Sequence, residues 1–277
     1  MIVLIDEKIV QKLKNHRYKG NEILKGNCLD VLPQLPDQVF DLVITDPPFN
    51  VLNKDDLKFE HRTDIKQEVD FDQFESHEDY LQFTGEWVKL VVNKMKEDSS
   101  LYVFFAVQYI TDLMNICLDH GLKYKGVLIW HKTNPAPKIR KSGYVSSTES
   151  VLFMVKGTPT FHFLGQNKMH NLIETPICMG NERLKDKTKK NKTGNFATLH
   201  PTQKPEELYE HFVTVSSNPQ DLICDPFAGT GTANVACRKL NRYCVGIELN
   251  EKYANYARER LKLTKFLGQK SSIEKWA

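Results

Sequence analysis

The sequence predicts an α/β fold organised on a mainly parallel sheet, and three observations carry that prediction. Short apolar, β-branched runs alternate with amphipathic helical stretches along most of the chain. One run, Phe40-Asp41-Leu42-Val43-Ile44-Thr45, stops at Asp46-Pro47-Pro48-Phe49. Another, residues 221–224, opens into Asp225-Pro226-Phe227-Ala228-Gly229-Thr230-Gly231-Thr232 and then a helix, as in a βαβ unit. With 277 residues, 40% of them hydrophobic, the chain can bury a sizeable core as one large domain or two small ones.

The first twenty residues are mixed and carry no clear period. Residues 22–28 read as a short strand and 30–33 as the turn leaving it. Asp30 is either a ligand-facing acid at a strand end or the acceptor of an Asx turn. The run before Asp46 has the length and β-branched content of a buried strand. Residues 50–75 are polar, of mixed charge and without a sustained period, a loop of the length that tends to be functional or mobile. Ser76 caps the next helix, with Asp79 at capping-box spacing. Tyr80, Phe83, Trp87, Leu90 and Val91 form its apolar stripe, which reads as core packing. Residues 101–105 are a buried strand, 110–120 a helix closed by Gly121, and 124–130 and 151–155 two further strands.

The character changes at Lys156-Gly157. From there to about residue 199 apolar periodicity is weak. Arg183, Lys185, Lys187, Lys189, Lys190 and Lys192 are opposed between 182 and 192 only by Glu182 and Asp186. Such a run is as much a solvated face as a phosphate-contacting loop. His200-Pro201-Thr202-Gln203-Lys204-Pro205 leads into a helix over 206–215, with proline in the first turn. A helix follows the glycine loop as far as Leu240, and 243–247 is the next strand, ended by Glu248. Residues 250–263 form a last helix with Tyr253, Tyr256, Ala257 and Leu261 on one side.

The net charge of +3 announces no global affinity for nucleic acid, so any basic surface must be local. The six cysteines, Cys28, Cys117, Cys178, Cys224, Cys237 and Cys244, form no C-x-x-C pair and no zinc-like spacing with histidine. No metal is expected, and a reducing interior is. The N-terminus lacks the pattern of a secretion signal and no long apolar run occurs, which predicts a soluble intracellular protein.

A strand that stops at Pro-Pro has given up two backbone donors and fixed two φ angles. Such a turn can hold a carboxylate, a free carbonyl and an aromatic ring in one rigid constellation. Carboxylate and carbonyl are both acceptors and suit a planar amino group, while the ring offers the parent heterocycle a face. A G-x-G between strand and helix usually marks a dinucleotide site. Here Asn234 fills the third glycine position and Asp225 opens the loop. That carboxylate would repel a pyrophosphate and attract an α-ammonium. Glu248 stands where a ribose-hydroxyl acceptor belongs. The ligand that fits is a cationic nucleoside carrying an amino acid, S-adenosylmethionine (AdoMet).

With both loops read, the chain resembles the amino-methyltransferases of DNA, in the permuted order called the β group. There the Asp-Pro-Pro-aromatic motif precedes the Asp-Pro-Phe-x-Gly-x-Gly-Thr motif. The likeness runs from about residue 22 to 263. It implies a Rossmann-like AdoMet-dependent methyltransferase fold, a mostly parallel seven-stranded sheet with helices on both faces. It further implies one catalytic domain over 1–277, a target-recognition segment inserted at 157–199 and a mobile loop at 50–75. Asp46, Pro47, Pro48 and Phe49 match the catalytic motif, with Phe where Tyr is commoner. Asp225, Phe227, Ala228, Gly229, Thr230, Gly231 and Thr232 match the AdoMet motif, and Glu248 the ribose-binding acid. The stretch with Thr202 and Lys204 matches the one lying along the methionine part of the cofactor, and Asp30 falls where the family contacts its adenine end. Residues 130–137 and 147–157 resemble the family's later strands, with structural roles.

The resemblance implies double-stranded DNA as partner, contacted through Arg183, Lys185, Lys187, Lys189, Lys190 and Lys192. The target base is flipped out, and a homodimer is admitted. It also implies the cytoplasm of a bacterium or of a phage-infected cell. Asp rather than Ser at position 46 favours adenine-N6 over cytosine-N4, although the chemistry accepts either amine. Rival readings are a nucleic-acid-binding relative without activity, a nicotinamide enzyme (opposed by Asp225 and Asn234), and an RNA or protein-glutamine methyltransferase. The glutamine enzymes usually carry Asn-Pro-Pro; RNA stays open.

Overall fold

The computed structural model describes residues 4–50, 74–137, 143–179, 182, 185–190, 196–198 and 203–265. In chain order its elements are α1 (Glu7–Lys14), β1 (Asn21–Lys25), α2 (Cys28–Val31), β2 (Phe40–Thr45), α3 (His77–Lys94), β3 (Met95–Phe105) and α4 (Ile110–Asp119). There follow β4 (Lys123–Lys132), β5 (Thr148–Lys156), β6 (Leu172–Thr175), β7 (Lys185–Lys190), β8 (Phe196–Thr198), α5 (Glu206–Ser216), β9 (Leu222–Asp225), α6 (Thr232–Lys239), β10 (Tyr243–Glu248) and α7 (Glu251–Leu263).

Eight strands form one sheet in the order β1-β10-β9-β2-β3-β5-β4-β6. Only β5 runs against the rest, pairing antiparallel with both β3 and β4. The strands are apolar on both sides because both faces are covered. Val43, Leu101, Val103, Phe105 and Met154 point into a core with α1, α2, α3 and α4, and the alternate residues Leu42, Ile44, Tyr102, Phe104 and Val151 into a second core with α5 and α6. A smaller cluster joins α7 and α6 to β1 through Ala254, Ala257, Leu261, Val235 and Ile23.

The expected mostly parallel α/β sheet with helices on both faces is present, with eight strands rather than seven. The addition is β6, which pairs parallel with β4 at the sheet edge. It buries Ile173 and Thr175 but leaves Leu172 half exposed, and four residues are too few for a period to show against polar surroundings. A helix was also unforeseen near the start: Asp6 caps α1 by accepting from Lys8 N at 2.8 Å, yet Leu13 is its only fully buried apolar residue. Residues 28–31, read as a strand end and turn, form α2, because the Asn27 side chain accepts from Leu29 N and starts a helix there.

The Ser76 cap forms as expected. Its hydroxyl oxygen accepts from Asp79 N at 3.0 Å and its hydrogen goes to the Asp79 carboxylate at 2.8 Å. The basic segment contributes a separate two-stranded antiparallel unit, β7 with β8. Arg183 and Lys192 lie outside the described residues, as does nearly all of the 50–75 loop. Among the described residues, no helix is long and apolar enough to cross a membrane, and all six cysteines are buried and unbridged.

Candidate active site

Adjacent parallel strands deliver the two motifs to one place. β2 pairs with β9 in the register Leu42 to Ile223 and Val43 to Cys224, so Asp46 and Asp225 emerge side by side at the carboxyl edge of the sheet. This is the crevice in which open α/β sheets bind ligands. β10 ends in the same edge at Glu248, opposite Lys25 of β1.

Asp225 is 2% exposed. Its Oδ1 accepts from the Thr45 hydroxyl at 2.9 Å and from Phe227 N at 3.1 Å. Burial pushes its carboxyl up to about 7, with Asp46 and Glu248 adding to the shift against those two donors. Glu248 accepts from Gly229 N and Asn250 N, each at 2.7 Å, and burial raises it as well. The intervening turn needs its glycines: Gly229 and Gly231 have φ of 53° and 76°, and a Cβ on Gly231 would sit 3.0 Å from that of Ala257. The Phe227 ring is taken up by α3, edge-on to Trp87 at 5.6 Å and to Phe83 at 6.1 Å. Ala228 and Thr230 are buried. Thr232 donates its hydroxyl to the Lys204 carbonyl at 3.4 Å, and Arg260 donates to the Thr230 carbonyl at 3.1 Å. Asp30 is exposed on α2, just beyond the end of β1 on the same edge.

The Asp46-Pro47-Pro48-Phe49 turn is fixed from two sides. From α3, the Tyr80 hydroxyl donates to the Pro48 carbonyl at 3.0 Å. From the entry to α5, the Lys204 ammonium lies 2.5 Å from Asp46 Oδ2 and 3.2 Å from Glu149 Oε2. Lys132 pairs in turn with Glu149 Oε1 at 2.8 Å. Lys204 is 6% exposed and its charge also faces the rings of Phe104 (5.1 Å) and Phe49 (5.3 Å). Burial works against that charge, but Asp46 and Glu149 outweigh it and hold Lys204 above the ordinary lysine value. Burial likewise opposes ionisation of Glu149, and Lys204 and Lys132 more than reverse it, leaving this acid below the ordinary carboxylate value. Tyr209 stacks on Phe104 at 5.6 Å, and its phenol is held neutral by burial first and then by Asp225, Asp46 and Glu149.

Sequence reasoning named Asp46–Phe49, Asp225–Thr232, Glu248, Lys204 and Asp30, and the structure gathers all of these at one sheet edge. Thr202 lies outside the described residues. Lys185 is exposed on β7, whose backbone also carries Lys187, Lys189 and Lys190. Glu149, Lys132, Thr45, Tyr80 and Tyr209 were not foreseen as site residues. A signal existed for Glu149, a lone acid two residues before the apolar run 151–155, but its meaning depended on β5 running antiparallel. Only that direction brings the start of β5 to the edge where β2, β4 and β9 end. Among the described residues no cluster of His, Cys, Asp and Glu is placed to hold a metal ion.

Residues 40–259 match the N6/N4 methyltransferase family described as DNA methylase. The chain is 30% identical over 252 residues to the type II methyltransferase M.HinfI of Haemophilus influenzae, covering 87% of this chain and 68% of that one. It is 30% identical over 245 residues to the type II methyltransferase M.HpaI of Haemophilus parainfluenzae, covering 86% and 73%. Among solved structures, the M1.HpyAVI–SAM complex superposes with a TM-score of 0.63 at 24% identity, over 87% of this chain and 99% of that one. The PvuII DNA methyltransferase (cytosine-N4-specific) does so with a TM-score of 0.67 at 19% identity, over 92% and 90%. At those identities the structures speak for the fold.

Proposed function

The chain belongs to the N6/N4 family of DNA methylases, and we propose that it moves the methyl group of AdoMet to the exocyclic N6 amine of an adenine flipped out of double-stranded DNA. The observation that carries this reading is the pairing of β2 with β9, which sets a carboxylate–proline–aromatic turn beside an acid-opened glycine loop.

The residues fit the cofactor. Asp225 offers a buried carboxylate to an α-ammonium, and Glu248 has one oxygen on Gly229 N of the loop and the other on Asn250 N, where ribose hydroxyls would compete for them. When bound, AdoMet supplies a methyl group already activated on a sulfonium. An exocyclic amine is a poor nucleophile because its lone pair delocalises into the ring. Asp46 and the Pro47 carbonyl accept hydrogen bonds from its two N–H groups, draw the nitrogen toward sp³ and free the lone pair. The nitrogen gives up one of those protons as it gains the methyl. Phe49 gives the extruded base a stacking face worth about 1–3 kcal/mol, which offsets part of a flipping cost of a few kcal/mol. The chain's contribution is alignment and electrostatics. Lys185, Lys187, Lys189 and Lys190 on β7 supply phosphate contacts, and the type II relatives suggest a restriction-modification setting.

The test is incubation with labelled AdoMet and mixed-sequence DNA, followed by digestion to nucleosides. Label is expected in N6-methyladenine. Label confined to N4-methylcytosine would overturn the adenine assignment, and no label in either would overturn the transferase reading. In the same assay Asp46→Ala is expected to lose about 100- to 1,000-fold in rate while still binding AdoMet.

A further inference from the structure

We propose that Glu149 is a positioning residue for methyl transfer: it holds the Lys204 ammonium against Asp46 and so sets the plane of the carboxylate that receives the target amine. The inference rests on the proposed transfer reaction and adds a residue that neither motif contains.

Four side chains of alternating sign, Lys132, Glu149, Lys204 and Asp46, run in contact from the end of β4 through the start of β5 and the entry to α5 to the catalytic turn. Each link is within ion-pair distance, at 2.8, 3.2 and 2.5 Å. Buried charges of this kind carry a large desolvation cost, and apolar residues of the same volume would often be the more stable choice. Stability therefore does not account for the arrangement. A carboxylate accepts about four hydrogen bonds, so the bond from Lys204 orients Asp46 without exhausting it.

The backbone under Lys204 is itself pinned. Gln203 Nε2 donates to the Glu182 carbonyl at 2.8 Å, Glu206 N to Glu182 Oε1 at 2.6 Å, and Thr232 to the Lys204 carbonyl. The side chain alone is left to be steered, and Glu149 is the group that steers it. Without Glu149, Lys204 keeps a single carboxylate partner and slides along it. Without Lys204, Asp46 and Glu149 stand as two carboxylates in one partly dry pocket that already holds Asp225.

The experiment compares wild type with Glu149→Gln, Lys204→Met, the double variant and Lys204→Arg. Steady-state and single-turnover methylation are measured together with calorimetric AdoMet affinity. Glu149→Gln is expected to lower kcat and kcat/KM alike by about 10- to 100-fold, the scale of an ångström of misplacement, with AdoMet affinity within about threefold of wild type. The double variant should be no slower than Lys204→Met, because both changes break one chain. Lys204→Arg, which keeps the cation, should recover most of the rate. Wild-type turnover in Glu149→Gln, or losses that simply add in the double variant, would overturn the inference. So would a loss of AdoMet binding in Glu149→Gln, which would make Glu149 structural. If wild type itself transfers no label, the parent reading has failed instead.

Discussion

Asp225 has a carboxyl that burial has raised to about 7, while Thr45 and Phe227 N hold it against full neutralisation. A cationic α-ammonium placed beside it would favour the ionised form, so cofactor affinity should follow that ionisation. Raising the pH through 7 charges the group and strengthens binding; lowering it removes the charge and weakens binding. Below 7 an α-amino group stays protonated, so the fall belongs to the carboxylate alone. The charged groups facing Asp225 are Asp46, just after β2, and Glu248 from β10, and both act to keep it protonated, while the Tyr209 phenol from α5 is neutral. AdoMet affinity measured by calorimetry should drop about fivefold between pH 7 and pH 6, whereas Asp225→Asn should bind weakly with no slope there. A flat wild-type profile would remove Asp225 from ammonium recognition. Asp225 and Glu248 were legible in the sequence because each ends an apolar run. The supporting Thr45 was not, since nothing local says that one strand's last hydroxyl meets the next strand's acid.

Helix α6 and strand β10 show how far element-level reading reached. Asn234, read as the residue that breaks a three-glycine fingerprint, is fully buried and donates through Nδ2 to the Glu22 carbonyl at 3.1 Å and to that of Cys244 at 3.5 Å. The close approach that a third glycine would permit from the helix side is provided from the strand side by Gly246. A Cβ there would lie 2.5 Å from Asn234 Oδ1, 2.8 Å from Ile23 Cδ1 and 2.9 Å from Ala228 Cβ. Gly246→Ala should therefore cost about 1–3 kcal/mol in urea unfolding and push the glycine loop outward, weakening AdoMet binding. Unchanged stability would mean that α6 shifts freely. Helices with a polar cap and an apolar stripe were legible, as at Ser76 and Asn250. Strand β6 was not, because a four-residue edge strand is made by its neighbour β4 rather than by its own pattern.

Over the whole molecule the fold class could be read from the alternation of strand and helix, and the meeting of the two motifs from the resemblance to the methyltransferase family, in which the strands that carry them are neighbours. The contribution of β5 could not, because its direction is a property of the assembled sheet; Glu149 changes from structural residue to site residue only through that reversal. Charge has the same character. A net +3 over the chain leaves little long-range pull on DNA, so affinity must be concentrated locally. The segment with Arg183, Lys185, Lys187, Lys189, Lys190 and Lys192 is the densest basic stretch, and β7 gives four of those lysines an ordered backbone. If β7 lies along the phosphates, changing Lys185, Lys187 and Lys189 together to Gln should flatten the dependence of log DNA affinity on log salt. The expected change is about 0.9 for each phosphate left without its lysine, and about three times that for the triple variant. Changing Lys185 alone should take roughly a third of the full effect. AdoMet affinity should stay at its wild-type value in both proteins, because the edge proposed to bind the cofactor is built by β1, β2, β9 and β10. An unchanged slope in the triple variant would move the DNA interface off this strand.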